Sequence, residues 1–233
     1  MDVMPDIPGL AQLLADPARA TILWTLIDGT MRPAGGLAYS ANISAQSAST
    51  HLAKLVKGGL LESKAQGRHR YFRIVNPDVA NLIESMASLS HIATPRTPKN
   101  PPLARTMPSQ FLHARTCYDH LAGEVAVNIL DAMLRAKWLT LEGQEFIVSA
   151  LGEKEFTALN VDLTKAKRRV FARLCVDLTE RRPHLGGVLG AALLDLFVAQ
   201  KWIQRSPRSR IVSITPKGDE AFKKIFKLKA GRF

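Results

Sequence analysis

The sequence has 233 residues, 46% of them hydrophobic, and 32 lysines and arginines against 20 acids give it a formal net charge of +12. That length suits two domains with real cores, and the cationic excess favours a polyanionic partner, nucleic acid before a membrane surface. No apolar run reaches the ~18 residues that would span a bilayer, and the opening M-D-V-M-P-D is not a signal peptide. Two cysteines, Cys117 and Cys175, make no disulfide framework, so the expectation is a reduced, cytoplasmic protein.

Asp16-Pro17 reads as a helix cap followed by proline in the first turn, and Ile22, Leu23, Leu26 and Ile27 line one side of that helix before Gly29 stops it. A short helix over roughly Pro33 to Ala41 leads through Asn42-Ile43 to a second. Ser44 caps this one, which runs from Ala45 to about Lys57, where Gly58-Gly59 ends it. Ala45, Ala48, Leu52 and Leu55 form its inward stripe, and Gln46, Ser47, Thr50, His51 and Lys54 its outer face. Two short helices joined by a tight turn, the second with a polar outer face, are the helix-turn-helix pattern. Amides and hydroxyls on such a face read base edges. After Gly59 a strand, a turn at Gln66-Gly67 and a returning strand form a hairpin whose tip carries Lys64, Arg68, His69 and Arg70, a basic wing suited to phosphates.

D-P-A-R-A-T-I-L-W-T-L, S-A-Q-S-A-S-T-H-L-A-K-L-V-K-G-G-L-L and G-R-H-R-Y-F-R-I together resemble the ArsR-type winged-helix repressors over about residues 7–90. The resemblance implies a homodimer on a palindromic double-stranded DNA operator, released or altered by an effector. It places Gln46, Ser47, Ser49, Thr50 and His51 at the groove, although the inward stripe leaves Ser49 marginally exposed. The family's metal sites do not carry over. The helix before Ser44 reads G-G-L-A-Y-S-A-N without cysteine. On the following helix, Asp78 and His91 have ligand spacing, but Ala80 and Thr94 stand where two more ligands belong. That helix, Pro77–Ser90, presents Val79, Leu82, Ile83, Met86 and Leu89, a core stripe or, as the resemblance implies, half of a dimer interface.

Residues 91–110 hold five prolines and three cations with no acid, and read as an extended basic linker. The C-terminal domain, 111–233, is expected to be α-rich and to hold two degenerate winged-helix-like repeats, about 111–155 and 165–230. H-L-A-G-E-V-A-V-N-I-L-D-A-M-L-R-A-K-W-L from His120 matches H-L-G-G-V-L-G-A-A-L-L-D-L-F-V-A-Q-K-W-I from His184. L-T-L-E-G-Q-E-F at Leu139 is aligned with I-T-P-K-G-D-E-A at Ile214. The 11 residues after Trp202 are then a wing that the first copy almost lacks, followed by a helix over Pro216–Leu228. The tail from Arg205 to Phe233 is strongly basic, either a solvated face or a secondary phosphate contact.

R-T-C-Y-D-H-L-A-G, Arg115–Gly123, resembles a stretch of longer members of the same repressor family. Read as a helix, it puts His113, Cys117 and His120 on one face. With Cys175 or His184 nearby they could bind zinc, mercury or a trivalent arsenical. A structural cysteine beside hydrogen-bonded histidines, a Cys117–Cys175 redox pair and a small apolar effector between the repeats are the alternatives. Two other readings of the whole chain stand beside an effector-responsive repressor: a winged-helix interaction module and an enzyme that only dimerises through its winged helix. The second lacks any G-x-G-x-x-G or phosphate-cradling loop.

Overall fold

A computed structural model of the chain describes residues 6–93, 107–161 and 171–228, which fall into two compact units, Met1–Ala87 and Ser88–Phe233. The first begins with α1 (Ile7–Leu14) and α2 (Pro17–Thr25), each started by an aspartate that accepts a backbone N–H three residues on, Gly9 to Asp6 and Arg19 to Asp16. The Arg19 guanidinium turns back to the end of α1 and donates to the carbonyls of Leu13 and Gln12 at 2.6 and 2.7 Å, satisfying acceptors that a helix terminus leaves open. A two-residue strand β1 (Arg32–Pro33) precedes α3 (Ala34–Ser40) and α4 (Ala45–Lys57).

Ser44 caps α4, its Oγ accepting from Ser47 N at 3.2 Å, and the chain leaves the helix at Gly58 and turns at Gly59, φ 71°. Ala48, Leu52 and Leu55 are buried against Ile22, Leu23 and Leu37, whereas Ala45 is exposed. The inward stripe therefore starts one turn later than its spacing predicts, because the first helical turn stands clear of the core. Ser49 also proves exposed. β2 (Leu61–Gln66) and β3 (His69–Ile74) pair antiparallel from Leu61↔Ile74 to Gln66↔His69, so Gly67-Arg68 make the turn. β3 buries Phe72 and Ile74 and turns Arg73 outward to Glu62. The sequence reading omits β1, which adds a third strand through Arg32↔Phe72. α5 (Pro77–Ala93) closes this part of the chain. Its residues 91–93 lie within the segment expected to be linker; of the rest of that segment, 94–106 lie outside the described residues.

The second unit has five helices among its described residues, as an α-rich domain would, but carries more strand than the sequence suggests, four hairpin-forming strand pairs in all. α6 (Ser109–His113) leads to a hairpin, β4 (Arg115–Cys117) and β5 (His120–Ala122), then α7 (Glu124–Arg135), a second hairpin, β6 (Leu139–Glu142) and β7 (Glu145–Val148), and α8 (Ala150–Ala158). The order recurs as β8 (Arg173–Val176), β9 (Pro183–Gly186), α9 (Gly187–Ala199), β10 (Ile203–Arg205), β11 (Val212–Ile214) and α10 (Pro216–Phe226). Strands β6-β7-β8-β9 form one antiparallel sheet, and β4 meets the last hairpin where Val212 N donates to Ala114 O and Thr116 N to Arg210 O.

The two Lys-Trp pairs occupy matching places. Lys137 and Lys201 each take φ 58° as they leave a helix, and Trp138 and Trp202 are buried among Phe156, Phe197, Phe222 and Phe226. Further on, the Oγ atoms of Ser149 and Thr215 cap α8 and α10 and donate back to the carbonyls of Lys137 and Lys201. Gly152 and Gly218 follow, and a Cβ on either would lie 2.1 or 1.9 Å from the Trp138 or Trp202 carbonyl oxygen. These positions correct the downstream alignment, which took Leu139 to Ile214. From Trp to cap the chain takes 11 residues in the first case and 13 in the second, and the first hairpin is a full one. The chemical likeness of the two Gly-Asx/Glx stretches is accidental: one is a hairpin turn at Gly143, the other the first turn of α10.

Candidate functional site

Among the described residues, two places stand out for polar groups beyond those needed for folding. In the first unit, Gln46, Ser49, Thr50, Ala53, Lys54 and Lys57 are exposed along α4, with Ser47 partly so. The hydroxyls of Ser49 and Thr50 donate to the carbonyls of Ala45 and Gln46 within the helix, leaving oxygen lone pairs outward. Ser49, Thr50, Ala53, Lys54 and Lys57 line one shallow groove. Lys57 was not among the expected contacts, although its spacing from Thr50 and Lys54 would have disclosed it. On the wing Lys64, Arg68, His69 and Arg70 are all exposed, and Arg68 Nε lies 3.4 Å from His69 Nε2. His51 departs from expectation. Its half-buried ring turns inward, Nδ1 3.6 Å from Asp16 Oδ1, because the cap of α2 packs beneath this turn of α4. Cation, amide and hydroxyl on one helix beside a basic hairpin can engage phosphate and base edges together.

Among the expected interface residues of α5, Ile83 is buried in the first unit's core and Val79 and Leu82 are partly buried, whereas Met86 and Leu89 are 43% and 63% exposed. Ala80 is also buried and Asp78 exposed; Thr94 lies outside the described residues.

The second place is a cluster. Arg115–Gly123 is not a helix: α6 ends at His113, and Cys117 and His120 are cross-strand partners at the tip of a hairpin whose turn is Tyr118-Asp119. His113 is thereby separated from them, its Nδ1 2.9 Å from Glu124 Oε2. The same hairpin geometry recurs in β8–β9, where Cys175 and His184 are partners. The two hairpins bring Cys117, His120, Cys175 and His184 together, with one ligand atom from each lying within 4.8 Å of all the others. The thiols are not joined in a disulfide. The imidazoles approach at 3.1 Å, Nε2 to Nε2, and Cys117, His120 and His184 are buried. Burial disfavours the charged ring of His120, but the Asp119 carboxylate, 3.3 Å from its Nδ1, and the Cys117 sulfur outweigh that and push it up to about 9.

Behind the cluster lies a residue that sequence reading passed over. Asp177 is buried, yet it accepts from Arg115 Nη2 at 2.8 Å, Gly123 N at 2.7 Å, and the N–H and hydroxyl of Thr179, both at 2.9 Å. Burial alone would raise its pKa; the charges of Arg115 and His184 and the backbone N–H groups of Glu180 and Gly123 hold it well below the usual carboxylate range. Its other oxygen lies 3.6 Å from His184 Nδ1. The Asp-Leu-Thr-Glu sequence, able to fold an Asx turn, was the available signal. The apolar space between α7 and α9, lined by Leu121, Met133, Leu193 and Phe197 among others, amounts to only about 20 Å³ and leaves no room for an organic effector there.

Of the basic tail, Arg210 is taken up by the fold, donating twice to Thr116 O and lying over the Phe111 ring, and Lys217 and Lys223 are held by Gln200 O and Asp219. Lys229 and Arg232 lie outside the described residues.

A family model described as a helix-turn-helix domain matches residues 14–64. Over 228 residues, 97% of this chain and 99% of the other, the sequence is 42% identical to the uncharacterized HTH-type transcriptional regulator YdfF of Bacillus subtilis (strain 168). The chain belongs to the HTH-type transcriptional regulators. This regulator is also 30% identical over 104 residues to the HTH-type transcriptional regulator KmtR of Mycobacterium tuberculosis, spanning 42% of this chain and 79% of that one. Among solved structures, the homodimeric winged helix-turn-helix domain of Mb0332 from Mycobacterium bovis, a possible ArsR-family regulator, aligns with 43% of this chain and all of its own, at 24% identity and a TM-score of 0.35. The regulator has no helix among its described residues long and apolar enough to cross a membrane.

Proposed function

We propose that this DNA-binding transcriptional regulator acts in the cytoplasm as a homodimeric repressor on a palindromic operator, and that an effector acting at its C-terminal unit alters DNA affinity. The observation that carries the DNA reading is the pairing of an exposed Gln46–Ser47–Ser49–Thr50 surface on a Ser44-capped helix with the basic tip of the β2–β3 hairpin. Gln46, Ser47 and Thr50 read bases, while Lys54, Lys64, Arg68, His69 and Arg70 meet phosphates and fix the register. Self-association uses α5 through Met86 and Leu89, two large apolar side chains left exposed on a helix that is otherwise anchored by Ile83. The C-terminal unit is read as two degenerate winged-helix-like repeats, a reading supported by the recurrence of hairpin, helix, hairpin, helix and by the matched Lys-Trp and Ser/Thr-x-x-Gly positions. Its sensing residue is Cys117.

Fluorescence anisotropy of a labelled fragment of the regulator's own promoter tests the DNA reading, with sedimentation of the same sample testing the dimer. A saturable complex of two chains per palindrome, weakened steeply by salt, is expected. Equal affinity for the promoter fragment and for random DNA would sink sequence-specific regulation.

A further inference from the structure

We propose that Cys117, His120, Cys175 and His184 form a closed tetrahedral site for one zinc-class metal ion, bound through two sulfurs and the two imidazole Nε2 atoms. Each hairpin supplies half of it. Directly opposed residues in an antiparallel pair hold their Cβ atoms ~5 Å apart, so Cys117↔His120 and Cys175↔His184 are two-pronged jaws set by strand register alone. Four donor atoms within 4.8 Å of one another are close enough to converge on a single ion. Metal–nitrogen bonds of ~2.0 Å and metal–sulfur bonds of ~2.3 Å give N···N edges of ~3.3 Å and S···S edges of ~3.8 Å. The observed N···N distance is 3.1 Å, and all four donors fit within 4.8 Å.

The surroundings orient the rings for a metal. A carboxylate stands behind each imidazole at Nδ1, Asp119 Oδ1 at 3.3 Å from His120 and Asp177 Oδ2 at 3.6 Å from His184. Asp119 is within reach to accept from Nδ1 of a metal-bound His120, and Asp177 places negative charge behind the His184 ring without a direct hydrogen bond. The two Nε2 atoms approach at 3.1 Å, close enough to share one proton or to bind one metal ion. Asp177 is itself held in place by Arg115, Gly123 and Thr179, so the geometry behind His184 is fixed before any ion arrives. Gly186 clears the way for His120: a Cβ there would sit 3.3 Å from both Cε1 and Nε2. Charge also balances, since a divalent ion with two thiolates and two neutral imidazoles is neutral overall, the form a buried site tolerates. On loading, both thiol protons and any proton shared by the rings pass to solvent. Sulfur and imidazole select zinc and its soft relatives over magnesium or calcium, and four protein ligands leave no open position for catalysis. The site's role is to clamp β4–β5 to β8–β9. That the clamp is also the effector switch rests on the reading under Proposed function.

The test uses Co²⁺ as the visible stand-in for zinc, added to the full-length, reduced, metal-stripped protein. One equivalent per chain is expected to give tetrahedral ligand-field bands and thiolate charge transfer, both erased by one equivalent of Zn²⁺. Cys175→Ser is expected to halve the charge-transfer intensity. Asp119→Asn, which leaves all four ligands, is expected to keep the bands and lower affinity about tenfold to a hundredfold, and it decides the matter if Cys175→Ser fails to fold. A folded, reduced protein that shows no bands, or only a six-coordinate spectrum unchanged by Cys175→Ser, overturns the site. So does a Cys117–Cys175 disulfide whose reduction yields no cobalt binding. Absent bands with promoter binding intact would refute the site alone, and intact bands without promoter binding the DNA reading alone. Bands together with metal-independent promoter affinity would refute the switch.

Discussion

Arg115 and Asp177 face each other within the C-terminal unit, Nη2 2.8 Å from Oδ1, with side chains 1% and 0% exposed. They lie 62 residues apart in sequence, and the pair joins β4 to the loop between β8 and β9. Buried charges attract strongly but lose their hydration, so the pair's net worth is modest while the cost of halving it is not. Asp177→Ala is therefore expected to destabilise the C-terminal unit by about 3–5 kcal/mol. Urea unfolding followed by tryptophan fluorescence in a Trp24→Phe background, where Trp138 and Trp202 are the remaining reporters, measures it. A loss below ~1 kcal/mol would show that water replaces the carboxylate at little cost.

Gly218→Ala provides a second stability test. The added methyl would meet the Trp202 carbonyl oxygen, which is backbone and cannot swing aside as a side chain could. Displacement of α10 at its first turn is expected to cost about 3 kcal/mol, the upper end for overpacking. Gly152→Ala meets the Trp138 carbonyl in the same way and should behave alike. Unequal losses would argue against equivalence of the two Lys-Trp turns.

On the DNA face, Thr50 and Arg68 should fail differently. Thr50→Ala is expected to change the preferred base at one operator position by roughly 1–3 kcal/mol. Arg68→Ala should weaken binding to every sequence alike and reduce the salt slope by about one contact. Binding to a library of single-base operator variants at two salt concentrations separates them. An unchanged preference for the Thr50 variant would remove this residue from base reading.

Acid should loosen the first unit partly through Asp16. The Arg19 backbone N–H that Asp16 accepts is the foremost cause lowering its pKa, with the Arg19 and His51 charges adding to it. Because the folded value lies below the unfolded one, this stabilisation is complete above the ordinary carboxylate range of ~4 and disappears as pH falls through the folded value. Asp16→Ala is expected to lose about 1 kcal/mol at neutral pH, and the deficit should shrink toward pH 3. Thermal melts of the two proteins across pH 3–7 check it; a deficit independent of pH would assign the effect to the helix cap's shape alone.

The features legible in the sequence were those written in neighbouring residues. Asp16-Pro17, Ser44 and Gly58-Gly59 mark helix ends because capping is a matter of three or four positions, and Phe72 with Ile74 shows the period of a half-buried strand. The Cys/His cluster was only half visible. Arg115–Gly123 has no strand alternation, and Tyr118, which takes φ 57° at the hairpin tip, is not a residue that announces a turn, so Asp119 alone marked it. The stretch pairs with itself as a hairpin, and bonds to Arg210 and Val212, far along the chain, add a support that no local pattern records. Once it is a hairpin, His113 leaves the group and Cys175 joins it. The grouping by helical spacing failed for the same reason that the four residues were individually noticeable: the chemistry is local, the geometry is not.

The pairing of Thr116 with Arg210 also sets a timetable. During synthesis, α4 and the β2–β3 hairpin can close on residues already made, whereas β4, though paired at once with β5, must wait 94 further residues before Arg210 emerges to meet Thr116. Non-local closure of this kind is slow as well as late. A nascent chain would thus own a finished α4 and hairpin surface, the one proposed to read DNA, before the unit holding Cys117 exists as a folded body. Whatever restraint that unit exerts is imposed on a surface that was, for a time, unsupervised.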